Sequence, residues 1–182
     1  MTLGFTQQWP KEMAMTDNKT YFIEKIWTGL NWDVGFDYFG YRDNHKSKFG
    51  NYWDGAWTEA AESNFKPKLH TIRRDEHNRW KAGVNIHFVI NSRTKDRFQF
   101  APVIPCVNVQ TIEIREMIMT VHDCVRLKDG RVFTVRVDGK YLPMYRIVEL
   151  AQNDGFESVE DFFKYFNRDF TGKLIHWTNL KY

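Results

Sequence analysis

The sequence predicts an α+β fold, built as a small, mostly antiparallel β-barrel or curled sheet flanked by short helices. Segments rich in β-branched residues follow one another between residues 69 and 142. Within residues 125–142, two Asp-Gly pairs are flanked by alternating residues, a strong signal for β-hairpins. Helical patterns of apolar residues lie on both sides of this β-rich part, which is typical of an α+β fold.

The N-terminal part combines one helical pattern with a long aromatic-rich stretch. Residues 1–18 predict a loose arm, and residues 20–30 predict an extended entry that runs into a helix. Residues 31–66 break all periodicity because glycines alternate there with Trp, Tyr and Phe, and only residues 57–65 look helical. Aromatic side chains in this number are not left exposed to water. We therefore predict an ordered insertion within a single domain spanning residues 19–182.

The β-rich part begins with the basic stretch KLHTIRRDEHNRWKAG at residues 68–83, where HTIRR alternates as a strand does. Residues 82–90 predict a second strand after a turn at Gly83. Residues 101–117 predict a third, whose two prolines place its start at an edge. The Asp-Gly pairs of residues 125–142 then predict two hairpin turns.

The chain is predicted to end with two helices and a strand. Pro143 starts a helix that runs through Gln152. Ser158 and Asp161 have the spacing of a capping box for a second short helix with a phenylalanine-rich face. Residues 172–182 predict the last strand.

Composition limits the function classes. Hydrophobic residues make up 42% of the chain, which is enough for a core, and the net charge of +3 permits a polyanionic partner without requiring one. Aromatic residues reach 16%, and aromatic side chains serve either as core or as stacking platforms for bases. The chain has neither a secretory apolar run nor about 18 consecutive apolar residues, so we predict a soluble, cytoplasmic protein without membrane contact.

Cysteines and histidines show no metal-ligand spacing. Cys106 and Cys124 form no CxxC pair, which fits a reducing compartment, although a single disulfide stays open. Cys106 lies in a β-branched run that favours a core position over a nucleophile. The six histidines form no HxH or HExxH pattern, so we predict neither a metal nor another cofactor.

Three parts of the chain carry a resemblance to a known family. FIEKIWTGL, the Lys68-x-x-Thr71-x-Arg73 motif before a Gly83 turn, and NDGFESVEDFFKYF together resemble the ASCH domain family, whose fold is similar to the PUA barrel. The resemblance covers roughly residues 20–30 and 66–182 and is interrupted by the aromatic insertion. It implies a PUA-like fold and a module that binds RNA, a nucleotide or a modified nucleoside.

One small branch of that family hydrolyses the amide of N4-acetylcytidine, and the resemblance carries its residues onto this chain. Lys68 matches the catalytic lysine and Thr71 the threonine, while Asp154 stands where the branch has a glutamate. A Thr hydroxyl needs a base to take its proton, and a lysine can act so only when its pKa is depressed. On a regular strand residues 68 and 71 would face opposite ways, so this chemistry requires a bend between them.

Each candidate residue also has a structural interpretation. Lys68, Arg73 and Arg74 could line a basic cleft or form a solvated edge strand that discourages aggregation. Asp154 fits either a catalytic group or a turn residue before a glycine. Aromatic side chains could stack on a base or only pack over the fold; the candidates are Trp53, Trp57 and Trp80.

Three functions therefore stay open. The first is an RNA-, nucleotide- or nucleoside-binding domain with a basic cleft. The second is an amidohydrolase that acts on an N-acylated nucleobase with Lys68, Thr71 and Asp154. The third is a protein-interaction module, which an exposed aromatic patch far from the cleft would favour.

Overall fold

A computed structural model describes residues 1–13, 18–30, 35–53, 65–119 and 122–182. These residues cluster into two compact units, each with its own β-sheet. The first unit is Met1–Lys68 with Val84–Pro105, and the second is Leu69–Gly83 with Cys106–Tyr182. The motif Lys68-x-x-Thr71 therefore begins in one unit and continues in the other.

The elements of the described residues are numbered in chain order. The helices are α1 (Phe22–Gly29), α2 (Tyr38–Phe49), α3 (Met144–Asn153) and α4 (Val159–Tyr165), and a 3-10 helix spans Lys11–Met13. The strands are β1 (Thr2–Phe5), β2 (His70–Arg73), β3 (Asn85–Ile90), β4 (Phe98–Gln99), β5 (Ile104–Pro105), β6 (Asn108–Met117), β7 (Val125–Arg126), β8 (Val132–Val137), β9 (Lys140–Tyr141) and β10 (Phe170–His176).

The sheet of the first unit is centred on β3, which pairs with β1 in parallel and with β4 and β5 in antiparallel fashion. The prediction of a loose arm is therefore wrong for Thr2–Phe5. Leu3 and Phe5 are buried on alternate positions, and the Phe5 ring stacks on Phe88 at 5.9 Å between centroids. A strand partner more than eighty residues away cannot be recognised from local pattern.

The two α-helices among the described residues of the first unit differ in how clearly the sequence indicates them. α1 was predicted, and it buries Ile26 and Trp27, whose indole Nε1 donates to the carbonyl of Phe100 at 2.9 Å. α2 was not predicted, because only Tyr38 and His45 of its residues are buried and it shows no apolar stripe. The predicted helix of residues 57–65 falls outside the described residues up to position 64.

The sheet of the second unit has six antiparallel strands in the order β2-β10-β6-β8-β7, with β9 also paired to β8. Both predicted hairpin turns are confirmed. Gly130 and Gly139 follow their aspartates at φ 89° and φ 79°, the left-handed region that glycine adopts without strain. These turns join β7 to β8 and β8 to β9.

The predicted helices of the second unit are confirmed as well. α3 begins after Pro143, and Ser158 caps α4 by accepting a hydrogen bond from the Asp161 amide at 3.1 Å. The Phe163 ring of α4 lies against Phe133 of β8 with 4.4 Å between centroids, so this helix packs on the sheet.

The α+β class with mostly antiparallel strands is confirmed. Of the predicted barrel or curled sheet, the barrel is not formed by the described strands, which belong to two separate sheets. Residues 101–117, predicted as one strand, are divided into β5 and β6. The helices of the described residues are all too short or too polar to cross a membrane.

Candidate functional site

The predicted site residues are divided between the two units. Trp53 and Lys68 belong to the first unit, whereas Trp57 lies outside the described residues. The others belong to the second unit: Thr71, Arg73, Arg74, Trp80 and Asp154. The surroundings of these residues are therefore described separately for each unit.

The first unit contains a cavity of about 320 Å³, called here the first-unit cavity. Its lining includes aromatic residues, among them Tyr52 and Trp53. The lining also includes residues with amide and hydroxyl side chains, among them Gln7, Gln8 and Thr20. The cavity thus combines flat apolar surfaces with hydrogen-bonding groups, as small-molecule sites do.

Helix α1 begins at this cavity. Its N-cap residue, Tyr21, has φ 53° and gives no side-chain cap to the helix. The neighbouring Thr20 is buried, donates to the carbonyl of Thr6 at 2.7 Å, and accepts only a long 3.4 Å bond from the Phe22 amide. The first residues of α1, Phe22 to Glu24, line the cavity, so the positive end of the helix dipole lies at the cavity wall.

Trp53 is held in the cavity wall by neighbouring rings. Tyr38 and His45 of α2 meet it edge-on, at 5.7 and 5.4 Å between centroids. His45 is itself fixed, because its Nδ1 lies 2.8 Å from the carbonyl oxygen of Asn51. The Trp53 Nε1 is buried and makes no hydrogen bond to any residue that the structure describes. The indole is thus oriented by packing and keeps one donor for another partner.

Lys68 lies close behind the same cavity. Its side chain is only 1% exposed, and its Nζ lies 4.7 Å from the centroid of the Phe22 ring, which lines the cavity. Its backbone amide donates to the carbonyl of Lys25 at 2.8 Å. Strand β2 starts only at His70, so Lys68 precedes the regular strand on which Thr71 lies.

In the second unit, β2 places its side chains on the two faces of the sheet alternately. His70 and Ile72 share one face, and Thr71 and Arg73 share the other. Thr71 is 1% exposed and pairs with Ile175 of β10. Thr71 is therefore a buried threonine, and the other β2 residue on the same sheet face is Arg73.

Arg74 and Trp80 have different surroundings. Arg74 is exposed and its guanidinium lies 5.7 Å from the Phe170 ring centroid. Trp80 is buried at the end of a turn in which both Asp75 carboxylate oxygens accept backbone amides, one from Arg79 and one from Trp80. The contacts of Trp80 are those of a residue that anchors a turn.

Asp154 belongs to a buried polar cluster at the end of α3, and this cluster was not predicted. Its Oδ1 lies 3.7 Å from Nδ1 of His70, and the His70 Nε2 lies 2.9 Å from the hydroxyl of Tyr182. Asn153 donates to the same hydroxyl at 2.9 Å. Gln110 holds the Tyr182 backbone through its amide group, with bonds of 3.0 Å to both the carbonyl and the N–H.

These five residues are called here the Tyr182 cluster. Burial determines the protonation state of its central hydroxyl. Burial raises the pKa of the Tyr182 hydroxyl, which therefore stays protonated at neutral pH and can act as a hydrogen-bond donor. The residues come from four distant parts of the sequence, so no local motif indicates the cluster. His70, Asn153 and Asp154 lie inside stretches that the sequence singled out, but nothing in those stretches indicated that they meet Gln110 and Tyr182.

His176 lies beside this cluster and is fully buried. Its ring is 5.2 Å from that of His70, and neither ring nitrogen hydrogen-bonds to a described residue. Burial lowers the pKa of His176 from 6.5 to about 4, because a charged imidazole would lose its hydration there. His176 is therefore neutral in the folded protein near pH 7.

Acidification is expected to destabilise the protein through His176. Between pH 6.5 and about 4 the unfolded chain binds a proton at this residue and the folded chain does not. The free energy of unfolding should therefore fall by up to roughly 3 kcal/mol across this window. Urea titrations at several pH values should show a flatter pH profile for His176→Leu than for wild type, while the exposed His77→Leu control keeps the wild-type slope. Parallel profiles for His176→Leu and wild type would contradict this assignment.

Clusters of metal-ligand side chains and the two cysteines were also considered among the described residues. No group of three or more His, Cys, Asp or Glu residues in the described part of the chain could hold a metal ion. Cys106 and Cys124 are both free, and burial raises the pKa of the Cys106 thiol, which makes its thiolate scarce.

No family model, no curated protein and no solved structure matches this chain. The resemblance to the ASCH domain family accordingly stays a prediction from its motifs. The first-unit cavity and the Tyr182 cluster have to be interpreted from their own chemistry.

Proposed function

We propose that this protein binds a nucleoside or nucleotide, free or as part of RNA, and that the first-unit cavity receives its base. The carrying observation is the cavity itself, in which aromatic rings and hydrogen-bonding side chains meet in about 320 Å³. This volume lies at the lower end of the range of small-molecule sites, where a single nucleoside fits.

The aromatic residues and the polar residues of the lining would contact different parts of a base. A base has two apolar faces and a polar edge. Aromatic rings of a protein stack on its faces, and amide or hydroxyl groups hydrogen-bond to its edge. Trp53 offers a ring already oriented by Tyr38 and His45. Gln7 and Gln8 each offer both a donor and an acceptor.

The same proposal includes membership of the ASCH domain family with a PUA-like fold. Lys68 supports the link between the motif and the cavity, because its ammonium lies over the Phe22 ring that lines the cavity. In this proposal Arg73 and Arg74 contact phosphates of a longer RNA.

Calorimetric titration of the protein with adenosine, guanosine, cytidine, uridine and N4-acetylcytidine tests this proposal at one fixed salt concentration. At least one of them should bind saturably, and ribose, which lacks a base, should not. The absence of binding by every nucleoside up to millimolar concentration, and by short single-stranded RNA, would refute it.

A second candidate function is hydrolysis of an N-acylated nucleobase amide. It rests on the resemblance, which matches Lys68, Thr71 and Asp154 to the catalytic trio; the three residues are 1%, 1% and 4% exposed. In this reaction the Thr71 hydroxyl attacks the acyl carbonyl and gives its proton to a base, and the nucleobase amine leaves with a proton from an acid; the resemblance implies Lys68 as the base and Asp154 as the acid. Water then hydrolyses the acyl-enzyme and releases the carboxylic acid.

Incubation of the protein with N4-acetylcytidine should then release cytidine and acetate in equal amounts, as measured by chromatography. Thr71→Val keeps the shape of the side chain but removes the nucleophile, so turnover should fall by at least about a hundredfold. Thr134→Val is the matched control, because Thr134 is also buried in the same sheet at 2% exposure. Cytidine release that survives Thr71→Val would exclude Thr71 as nucleophile.

A further inference from the structure

One short segment of the second unit is held by side chains that bind its main chain. Residues 178–182 come shortly after β10, belong to no helix or strand, and are half-buried or exposed. Arg146 of α3 donates to the carbonyl of Lys181 at 2.7 Å. Gln110 of β6 accepts from the N–H of Tyr182 and donates to its carbonyl, both at 3.0 Å. These side chains take the place of a neighbouring strand.

The side chain of Tyr182 is contacted along its whole length. The Arg146 guanidinium, which also pairs with Glu149, lies 4.8 Å from the centroid of its ring. The His70 ring meets the Tyr182 ring edge-on at 5.4 Å. The hydroxyl accepts from Asn153 and lies 2.9 Å from the His70 Nε2. The side chains that hold this tyrosine are called here the tyrosine socket: His70, Gln110, Arg146 and Asn153.

The contacts of the tyrosine socket indicate what kind of ligand it fits. Arg146 and Gln110 bind the two sides of one peptide group, the carbonyl of Lys181 and the N–H of Tyr182. Gln110 binds the next carbonyl as well. A nucleobase has no such succession of main-chain groups, whereas an extended peptide has it at every residue. The hydroxyl contacts then select tyrosine over phenylalanine.

Residues 178–182 leave one buried side chain beside the socket unsatisfied. His176 is fully buried, and its ring centroid lies 5.2 Å from that of His70 and 6.2 Å from that of Tyr182. Neither of its ring nitrogens hydrogen-bonds to a residue in the described ranges. A neutral imidazole has one donor and one acceptor, and leaving both unmet costs free energy. A peptide that brings a polar group to His176 therefore gains a bond that residues 178–182 do not make.

We propose that the tyrosine socket binds a tyrosine-bearing peptide of a partner protein, and that residues 178–182 are a strap that fills the socket until such a peptide displaces it. A strap on the same chain competes at an effective concentration of about millimolar, so the socket is closed to weak ligands. The proposal does not depend on nucleoside binding, because the socket belongs to the second unit and the first-unit cavity does not.

Titration of the Tyr182→Ala variant with a fluorescently labelled peptide of residues 177–182 tests the proposal. The variant lacks the competing ring, so the peptide should bind saturably and at least about tenfold more tightly than it binds wild type. The control peptide carries phenylalanine in place of its tyrosine. It should bind about tenfold more weakly, because Asn153 and His70 lose the hydroxyl that they share.

Hydrogen exchange of the wild-type protein gives a second measurement that does not require the variant to fold. The Tyr182 amide is hydrogen-bonded to Gln110, so an excess of the tyrosine peptide should speed its exchange by displacing the strap. The amides of β6 should exchange as before, and the phenylalanine peptide should have a much smaller effect.

Two sets of results would overturn the proposal. One is equal binding of the two peptides, or no binding of either, by Tyr182→Ala. If that variant does not fold, an unchanged Tyr182 amide in wild type is sufficient. The other is saturable binding of a ribonucleoside that appears only in Tyr182→Ala, without binding of the peptide, because it would assign the socket to a base.

Discussion

Replacing Trp53 with alanine is expected to weaken nucleoside binding roughly ten- to a hundredfold. Stacking of a base on an aromatic ring contributes about 1–3 kcal/mol, and alanine removes the ring entirely. Because Tyr38 and His45 already orient the indole, little ordering is required when the base binds. Calorimetry is the suitable measurement, since the variant also removes one of the seven tryptophans that contribute to the fluorescence signal.

Two further variants make the Trp53 result specific. Trp53→Phe keeps a flat ring but removes the buried Nε1 donor, so it should retain most of the affinity if stacking dominates. Tyr145→Ala removes an aromatic ring that is 72% exposed in the second unit and should have no effect. If Trp53→Ala binds nucleosides as tightly as wild type, the base does not stack on this ring.

Replacing Phe163 with alanine is expected to destabilise the second unit by roughly 3–5 kcal/mol. Its ring is fully buried and lies nearly parallel to that of Phe133, with an interplanar angle of 14°. Removal of the ring leaves a cavity between α4 and the sheet that neighbouring side chains fill only in part. Urea unfolding followed by circular dichroism would report the loss as a lower midpoint.

The matched control for Phe163 is Tyr165 on the same helix. Tyr165 is 40% exposed, so Tyr165→Ala removes less buried apolar surface and should cost about 1 kcal/mol. Equal midpoints for the two variants would show that α4 does not stabilise the sheet through Phe163. Hydrogen exchange of the β8 amides should follow the same order as the midpoints.

The parts of the fold that were predicted correctly depend on local signals. A turn that requires a left-handed residue selects Asp-Gly, so the hairpins at Gly130 and Gly139 could be located from two residues each. The Ser158 cap and the phenylalanine face of α4 lie within a few residues of one another. Such signals act over one or two turns of the chain and need no knowledge of the partners.

The parts that were not predicted depend on distant partners. Strand β1 is defined by its pairing with β3, and α2 is positioned through Tyr38 and His45 rather than by an apolar stripe. The Tyr182 cluster joins residues whose separation reaches 112 positions, as between His70 and Tyr182. The periodicity of apolar residues indicates local helices and strands and does not indicate contacts between distant residues.

The sequence by itself determined the α+β class, the two hairpin turns and the Ser158 helix cap, and it singled out the stretch from Lys68 to Arg74. Only the tertiary structure decided that Lys68 is buried against Phe22, and that Trp53 and Tyr52 line a cavity. The physical reason is the range of the interactions. Turns and caps are satisfied by neighbours in the chain, whereas a cavity exists only where separate segments pack together and leave space between them.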